Sequence, residues 1–138
     1  MRPDLPAKLG LTQGLRVYLV NSPESFARNL TEISPQMDLS TKLGNEPVDM
    51  IMAWPWGDLS QMFQGFLRVL KPDGAIWIVI PKKASGSAGP SFQSLLNVAL
   101  PTGLVDNKSL SLSGTEYAVR FMIRRKLRKA SAPEPEVH

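Results

Sequence analysis

Few residues in this sequence have the type and spacing to do chemistry. Lys82 and Lys83 stand side by side, followed by the small-residue stretch Ala84 to Gly89 and by Pro90-Ser91, which opens a helical pattern. Two ammonium groups beside the free N–H groups of a helix start could hold a phosphate or another small anion. The plainer reading is a solvated lysine pair on a loop, because the Gly-x-x-x-x-Gly-Lys spacing of a phosphate loop is absent. Trp54 and Trp56 flank Pro55, and an indole there could stack a planar ligand or base. The plainer reading is that both rings cover helix ends and the rim of a core. Asn21 and Ser22 could meet a ligand where a strand stops, or form no more than a turn and a helix cap. No carboxylate pair suited to acid–base work stands out, and Glu116 fits water as well as a cleft. The chain has no cysteine, and its one histidine is His138 at the end. Thiolate chemistry and cysteine-ligated zinc are thereby excluded, and histidine catalysis or a histidine metal cage would require the C-terminus to fold back. The ligand-binding candidates are Asn21, Ser22, Trp54, Trp56, Lys82 and Lys83; no catalytic residue and no metal ligand is assigned.

The basic character lies mainly at one end. The formal charge is +4, yet residues 1–123 hold 11 Lys and Arg against 10 Asp and Glu. The excess comes from Arg124, Arg125, Lys126, Arg128 and Lys129, set against Glu134 and Glu136. Such a tail could touch nucleic-acid phosphates weakly and with strong salt dependence. No nucleic-acid-reading module surrounds it, so a solubilising terminus is the plainer reading. A chain of 138 residues suits one domain with one core. No apolar run approaches the roughly 20 residues that span a bilayer, and Met1 to Pro6 lack the apolar centre of a signal peptide. These features predict a soluble cytoplasmic protein without a membrane partner.

The candidate residues fall at the ends of predicted elements. Ala7 to Leu11 suggests a helical turn. Leu15 to Val20 is a nearly continuous apolar, β-branched and aromatic run, as in a strand covered on both faces. Ser22 as N-cap, Pro23 at the first helical position and Glu24 in the first turn start a helix that Pro35 must stop. Phe26, Leu30 and Ile33 line one of its faces. Met37 to Ser40 is a short strand candidate, and Val48 to Ala53 is a further strand ending at Trp54. Asp58 caps a helix with Leu59, Met62, Phe63, Phe66, Val69 and Leu70 at helical spacing. Lys71-Pro72-Asp73-Gly74 reads as a type I turn before the strand Ala75 to Ile80. A helix from Ser91 carries Phe92, Leu95, Leu96 and Ala99. Strands near Leu104 to Leu112 and Thr115 to Ile123 close a hairpin across Ser113-Gly114. Residues 1–124 form one domain in this reading, and residues 125–138, basic and then Pro/Glu-rich, a disordered tail.

Strands alternating with helices, then a hairpin, predict an α/β fold: a three-layer, Rossmann-like, mostly parallel sheet with a C-terminal antiparallel hairpin. The order resembles the class I methyltransferase fold, in which the last strand is inserted antiparallel beside its neighbour. In such proteins a helix leads through Leu-Lys-Pro-Gly-Gly into a strand, where this chain reads Leu70-Lys71-Pro72-Asp73-Gly74. The motifs Lys8-Leu9-Gly10-Leu11, Gly14-Leu15-Arg16-Val17, Asn21-Ser22-Pro23, Leu70 to Trp77, Pro81-Lys82-Lys83 and Gly103-Leu104-Val105-Asp106 together resemble a small bacterial family of domains of unknown function, numbered 3052. That resemblance covers residues 8 to about 124. Methyltransferases of this class carry a Gly-x-Gly loop after the first strand, where backbone must approach the cofactor closely. Here Asn21-Ser22-Pro23-Glu24 stands there, and Asp38 is the nearest substitute for the acid that holds the ribose. The expectation is therefore no cofactor, with S-adenosylmethionine disfavoured in its usual pose, and a non-catalytic binding or regulatory module with a small anionic ligand. The alternatives are a divergent S-adenosylmethionine-dependent methyltransferase using Trp54 and Trp56 around its substrate, and nucleic-acid association through Arg124 to Lys129.

Overall fold

A computed structural model describes residues 5–11, 14–33, 38–41, 44–83 and 89–127. In chain order the elements are α1 (Leu5–Leu9), β1 (Arg16–Val20), α2 (Glu24–Ile33), β2 (Asp38–Ser40), β3 (Val48–Ala53), α3 (Leu59–Val69), β4 (Leu70–Pro81), α4 (Phe92–Ala99), β5 (Leu104–Ser111) and β6 (Glu116–Ile123). The strands form one sheet in the order β2-β1-β3-β4-β6-β5. β2, β1, β3 and β4 are parallel, and β6 lies antiparallel between β4 and β5.

The apolar runs that predict strands covered on both faces meet helices on both sides. Side chains alternate across a strand, so Ile76, Ile78 and Ile80 of β4 face Phe63 and Phe66 of α3 and Leu95 and Ala99 of α4. Ala75, Trp77 and Val79 turn the other way, toward Leu5 and Leu9 of α1 and Leu30 of α2. Trp77 is fully buried, and its Nε1 donates to the Leu9 carbonyl at 2.9 Å. The helix starts follow local signals. Asp58 Oδ1 accepts from the amides of Ser60 and Gln61, and Ser91 Oγ accepts from Ser94 N at 3.1 Å.

Several expectations need correction. α2 begins at Glu24, and the carbonyl of Pro23 receives the first amides, from Phe26 and Ala27; the start therefore falls one residue later than a Ser22 cap requires. Its predicted stop at Pro35 lies outside the described residues. Arg125–Leu127 forms a short 3-10 turn closed by Leu127 N donating to Arg124 O. Lys71-Pro72-Asp73-Gly74 is no free-standing turn. β4 already pairs at Leu70 with Val48 and again at Ala75 with Met50, leaving four residues opposite Asp49 alone. The Pro-Asp-Gly signal marks a wide bulge inside the strand.

Asp49 holds that bulge. Its Oδ1 accepts from Lys71 Nζ at 2.9 Å and its Oδ2 from Arg16 N at 2.8 Å. Burial pushes this carboxyl up, but the Arg16 amide and the Lys71 ammonium outweigh it and hold Asp49 below the ordinary carboxylate value. A carboxyl depressed on folding adds stability above its unfolded pKa, about 3.9, and that stability is lost as pH falls through the lower folded value. Asp49→Asn is expected to lower unfolding free energy by about 1 kcal/mol near neutrality. Urea unfolding should show the gap closing in acid; an equal gap at both pH extremes would count against this role. No helix among the described residues is long and apolar enough to cross a membrane.

Candidate functional site

In open α/β sheets, ligands seat beyond the carboxyl ends of the strands, where the order of connections reverses. Here the chain goes from β1 outward to β2 and returns across β1 to β3, so the reversal lies between β1 and β3. Val20 and Ala53 end the two strands as register partners. Two bonds join the loops that follow: Trp54 N donates to Val20 O at 3.0 Å, and Asn21 Nδ2 donates to Trp54 O at 3.1 Å. Asn21 adopts φ +56°, the only described non-glycine residue with a positive φ. Asparagine tolerates this left-handed region better than most residues, because its short amide can bond locally. Ser22 is half-buried beside it, and Pro23 leads into α2.

The two tryptophans divide in role. Trp54 is half-buried and meets Phe26 of α2 edge-on, with ring centroids 4.9 Å apart. Trp56 is 81% exposed, which overturns the reading that both indoles cover helix ends and the core rim. Gly57, at φ +81°, then turns the chain into α3. Trp54, Trp56, Asp58 and Met62 line an open recess of about 440 Å³ on the α3 side. On the other side, Trp54 helps to bound a smaller recess of about 200 Å³ with Ser25, Phe26, Asn29 and Glu116.

Lys82 and Lys83 follow β4 on the same edge but lean toward the hairpin. Lys82 N donates to Thr115 O at 2.8 Å, and its Nζ donates to Ser111 Oγ at 2.7 Å. Lys83 is exposed, and the small-residue stretch 84–88 lies outside the described residues. The candidates thus form two groups: Asn21, Ser22, Trp54 and Trp56 around the reversal point, and the lysines beside the β5–β6 turn. Sequence reasoning did not reach Ser25, Asn29 and Ser111. Only the strand pairing brings Ser111 to Lys82, and no local pattern announces that.

Asp38 corrects another expectation. It begins β2 and pairs with Arg16 at the start of β1, so it belongs to the amino edge, away from any ribose at the carboxyl edge. Arg16 Nε contacts Asp38 at 3.0 Å and Arg16 Nη1 contacts Glu46 at 2.6 Å. The bond to Asp38, then the charge of Glu46, raise the Arg16 pKa further above its ordinary value. No group of three or more His, Cys, Asp or Glu among the described residues could hold a metal ion.

No protein-family model matches the sequence, and no curated protein matches it. Solved structures do match. A SAM-dependent methyltransferase from Aquifex aeolicus aligns with 88% of this chain and 89% of its own at TM-score 0.60 and 15% identity. A TehB-like SAM-dependent methyltransferase from Corynebacterium glutamicum aligns with 88% of this chain and 87% of its own at TM-score 0.56 and 12% identity. A methyltransferase from Pyrococcus furiosus covers 90% of this chain and 84% of its own at TM-score 0.54 and 15% identity. At these identities the likeness establishes the fold: a class I methyltransferase-like, Rossmann-like α/β sheet.

Proposed function

We propose that this chain is a non-catalytic binding or regulatory module on a methyltransferase-like scaffold, with its ligand at the carboxyl edge of β1, β3 and β4. One observation carries the reading: the Asn21 amide reaches across the reversal point and bonds to the Trp54 carbonyl. A cofactor pressed against the first loop needs bare backbone there. Asn21 has the glycine-like φ but fills the space with a side chain, and Pro23 fixes the loop behind it. These residues do not fit S-adenosylmethionine in its usual pose. Fold likeness alone carries no activity.

In this reading an anionic group is contacted by Lys82 and Lys83, supported by their place on the ligand edge and by the exposure of Lys83. Membership of the family numbered 3052 is part of the same proposal. Two of its motifs meet in this fold, since Trp77 bonds to Leu9. Nucleic-acid contact through the basic end has Arg124, Arg125 and Lys126 grouped around a shallow recess with Val105 in its favour.

A second reading, a divergent methyltransferase, is favoured by the solved structures that share the fold. Titration calorimetry separates the two. No heat is expected with S-adenosylmethionine up to millimolar concentration, and micromolar affinity would establish the second reading in place of the first. Asn21→Gly removes the amide plug and suits the backbone, so it is the variant in which any latent cofactor affinity should emerge.

A further inference from the structure

Tryptophan is highly buried on average, yet Trp56 is 81% exposed. It does not stand alone. With the half-buried Trp54 it lines the open recess of about 440 Å³ beyond the ends of β1 and β3, a volume within the range of small-molecule sites. Val20, Met62, Asp58 and Gln61 complete the walls, and no lysine or arginine is among the described residues that line it. An indole presents a negative ring face. Among the described residues, the indole with a side-chain cation over it is that of Trp77, under Arg120 at 5.7 Å; the ring of Trp56 has none. Asp58 is exposed and supplies the one formal charge of the recess. Both amides that it caps, of Ser60 and Gln61, bond to Oδ1, which leaves Oδ2 outside the cap. The recess therefore favours positive charge and disfavours anions. Its acceptors are few, whereas a primary ammonium brings three N–H donors and a guanidinium five, and each donor left dry on binding costs affinity. A quaternary ammonium has no donor to satisfy, and its methyl groups suit aromatic and apolar walls.

We infer that this recess binds a quaternary ammonium group, which sits against the ring face of Trp56 while Asp58 balances its charge. The inference rests on the reading of the chain as a binding module with its ligand at this edge. It adds a ligand class at the ends of β1 and β3, apart from the anion at Lys82 and Lys83.

Choline is the probe, titrated into the nitrogen-15-labelled full chain against matched sodium chloride. The three tryptophans give three indole N–H signals, and Trp56→Phe identifies the one from Trp56. Choline should move that signal saturably at millimolar concentration and leave that of the buried Trp77 in place. Dimethylbutanol, the uncharged carbon isostere of choline, should bind about tenfold more weakly, because it lacks the attraction of a cation to the ring. Asp58→Asn keeps a good helix cap and removes the charge, so it should weaken choline binding by about threefold with little change in the urea midpoint. Trp56→Ala, at an exposed position, should abolish the saturable response, followed there on the backbone amides of Gly57 and Gln61. No saturable shift with choline, equal affinity for dimethylbutanol, or full affinity in Trp56→Ala overturns the inference. The same group occurs free and on lipid headgroups. Choline saturation without co-sedimentation on phosphatidylcholine vesicles supports a free small molecule, and co-sedimentation that choline displaces supports a headgroup. Calorimetry with S-adenosylmethionine is read separately. Micromolar affinity would overturn the non-catalytic reading whether or not choline binds, and no choline response together with no S-adenosylmethionine heat would overturn the ammonium site alone.

Discussion

Trp77→Ala is expected to lower unfolding free energy by about 3–5 kcal/mol, the range for emptying a large aromatic site in a core. For a domain whose whole stability is about 5–15 kcal/mol, this threatens the folded state itself. The indole has no solvent exposure, stacks under the Arg120 guanidinium at 5.7 Å and donates to the Leu9 carbonyl. Trp77→Phe separates these roles. It keeps most of the ring volume but leaves the Leu9 carbonyl without its donor in a buried place, at about 1–3 kcal/mol. Equilibrium denaturation with urea reads both changes. A loss below about 0.5 kcal/mol for the phenylalanine variant would mean that the bond to α1 contributes nothing net.

Gly74→Ala should be the most damaging single-methyl addition in the sheet. A Cβ there would lie 2.8 Å from the Asp49 carbonyl oxygen, 2.7 Å from Leu70 Cδ1 and 3.1 Å from the Lys71 carbonyl oxygen. The leucine methyl can swing away, but two of the three neighbours are backbone atoms held by the bulge. Overpacking of this kind costs about 1–3 kcal/mol. Gly65 in α3 is the control, because its added Cβ would meet nothing within 4 Å. Gly65→Ala should instead stabilise, by up to about 1 kcal/mol through helix propensity. Urea midpoints for the two variants should therefore move in opposite directions, and a shift of the same sign in both would contradict the packing argument.

What could be read from the sequence was local. The Asp58 and Ser91 caps, the apolar run of β4 and the Ser113-Gly114 turn announce themselves within a few residues, and each stands where expected. The misses arise from register. Pro-Asp-Gly carries a turn signal, but whether the flanking backbone re-pairs depends on β3, more than 20 residues upstream. By position in the chain Asp38 suits the ligand edge, and only its pairing with Arg16 reveals that it sits at the opposite one. The site candidates share this division. Their place at strand ends was legible, whereas the Asn21 bond to Trp54 and the Lys82 bond to Ser111 span 33 and 29 residues and leave no mark on local patterning.

The insertion of β6 between β4 and β5 has a consequence for the order in which the chain can assemble as it is synthesised. Among the described residues, β5 pairs only with β6, and one whole side of β4 from Ala75 to Pro81 pairs only with β6. Until Glu116 to Ile123 has emerged, the growing chain therefore presents an apolar central strand with an open edge. Such an edge is where a partly made protein recruits the wrong neighbour. Of the described strands, the last one made is thus the one that closes the sheet, and folding of the earlier strands stays provisional until it arrives.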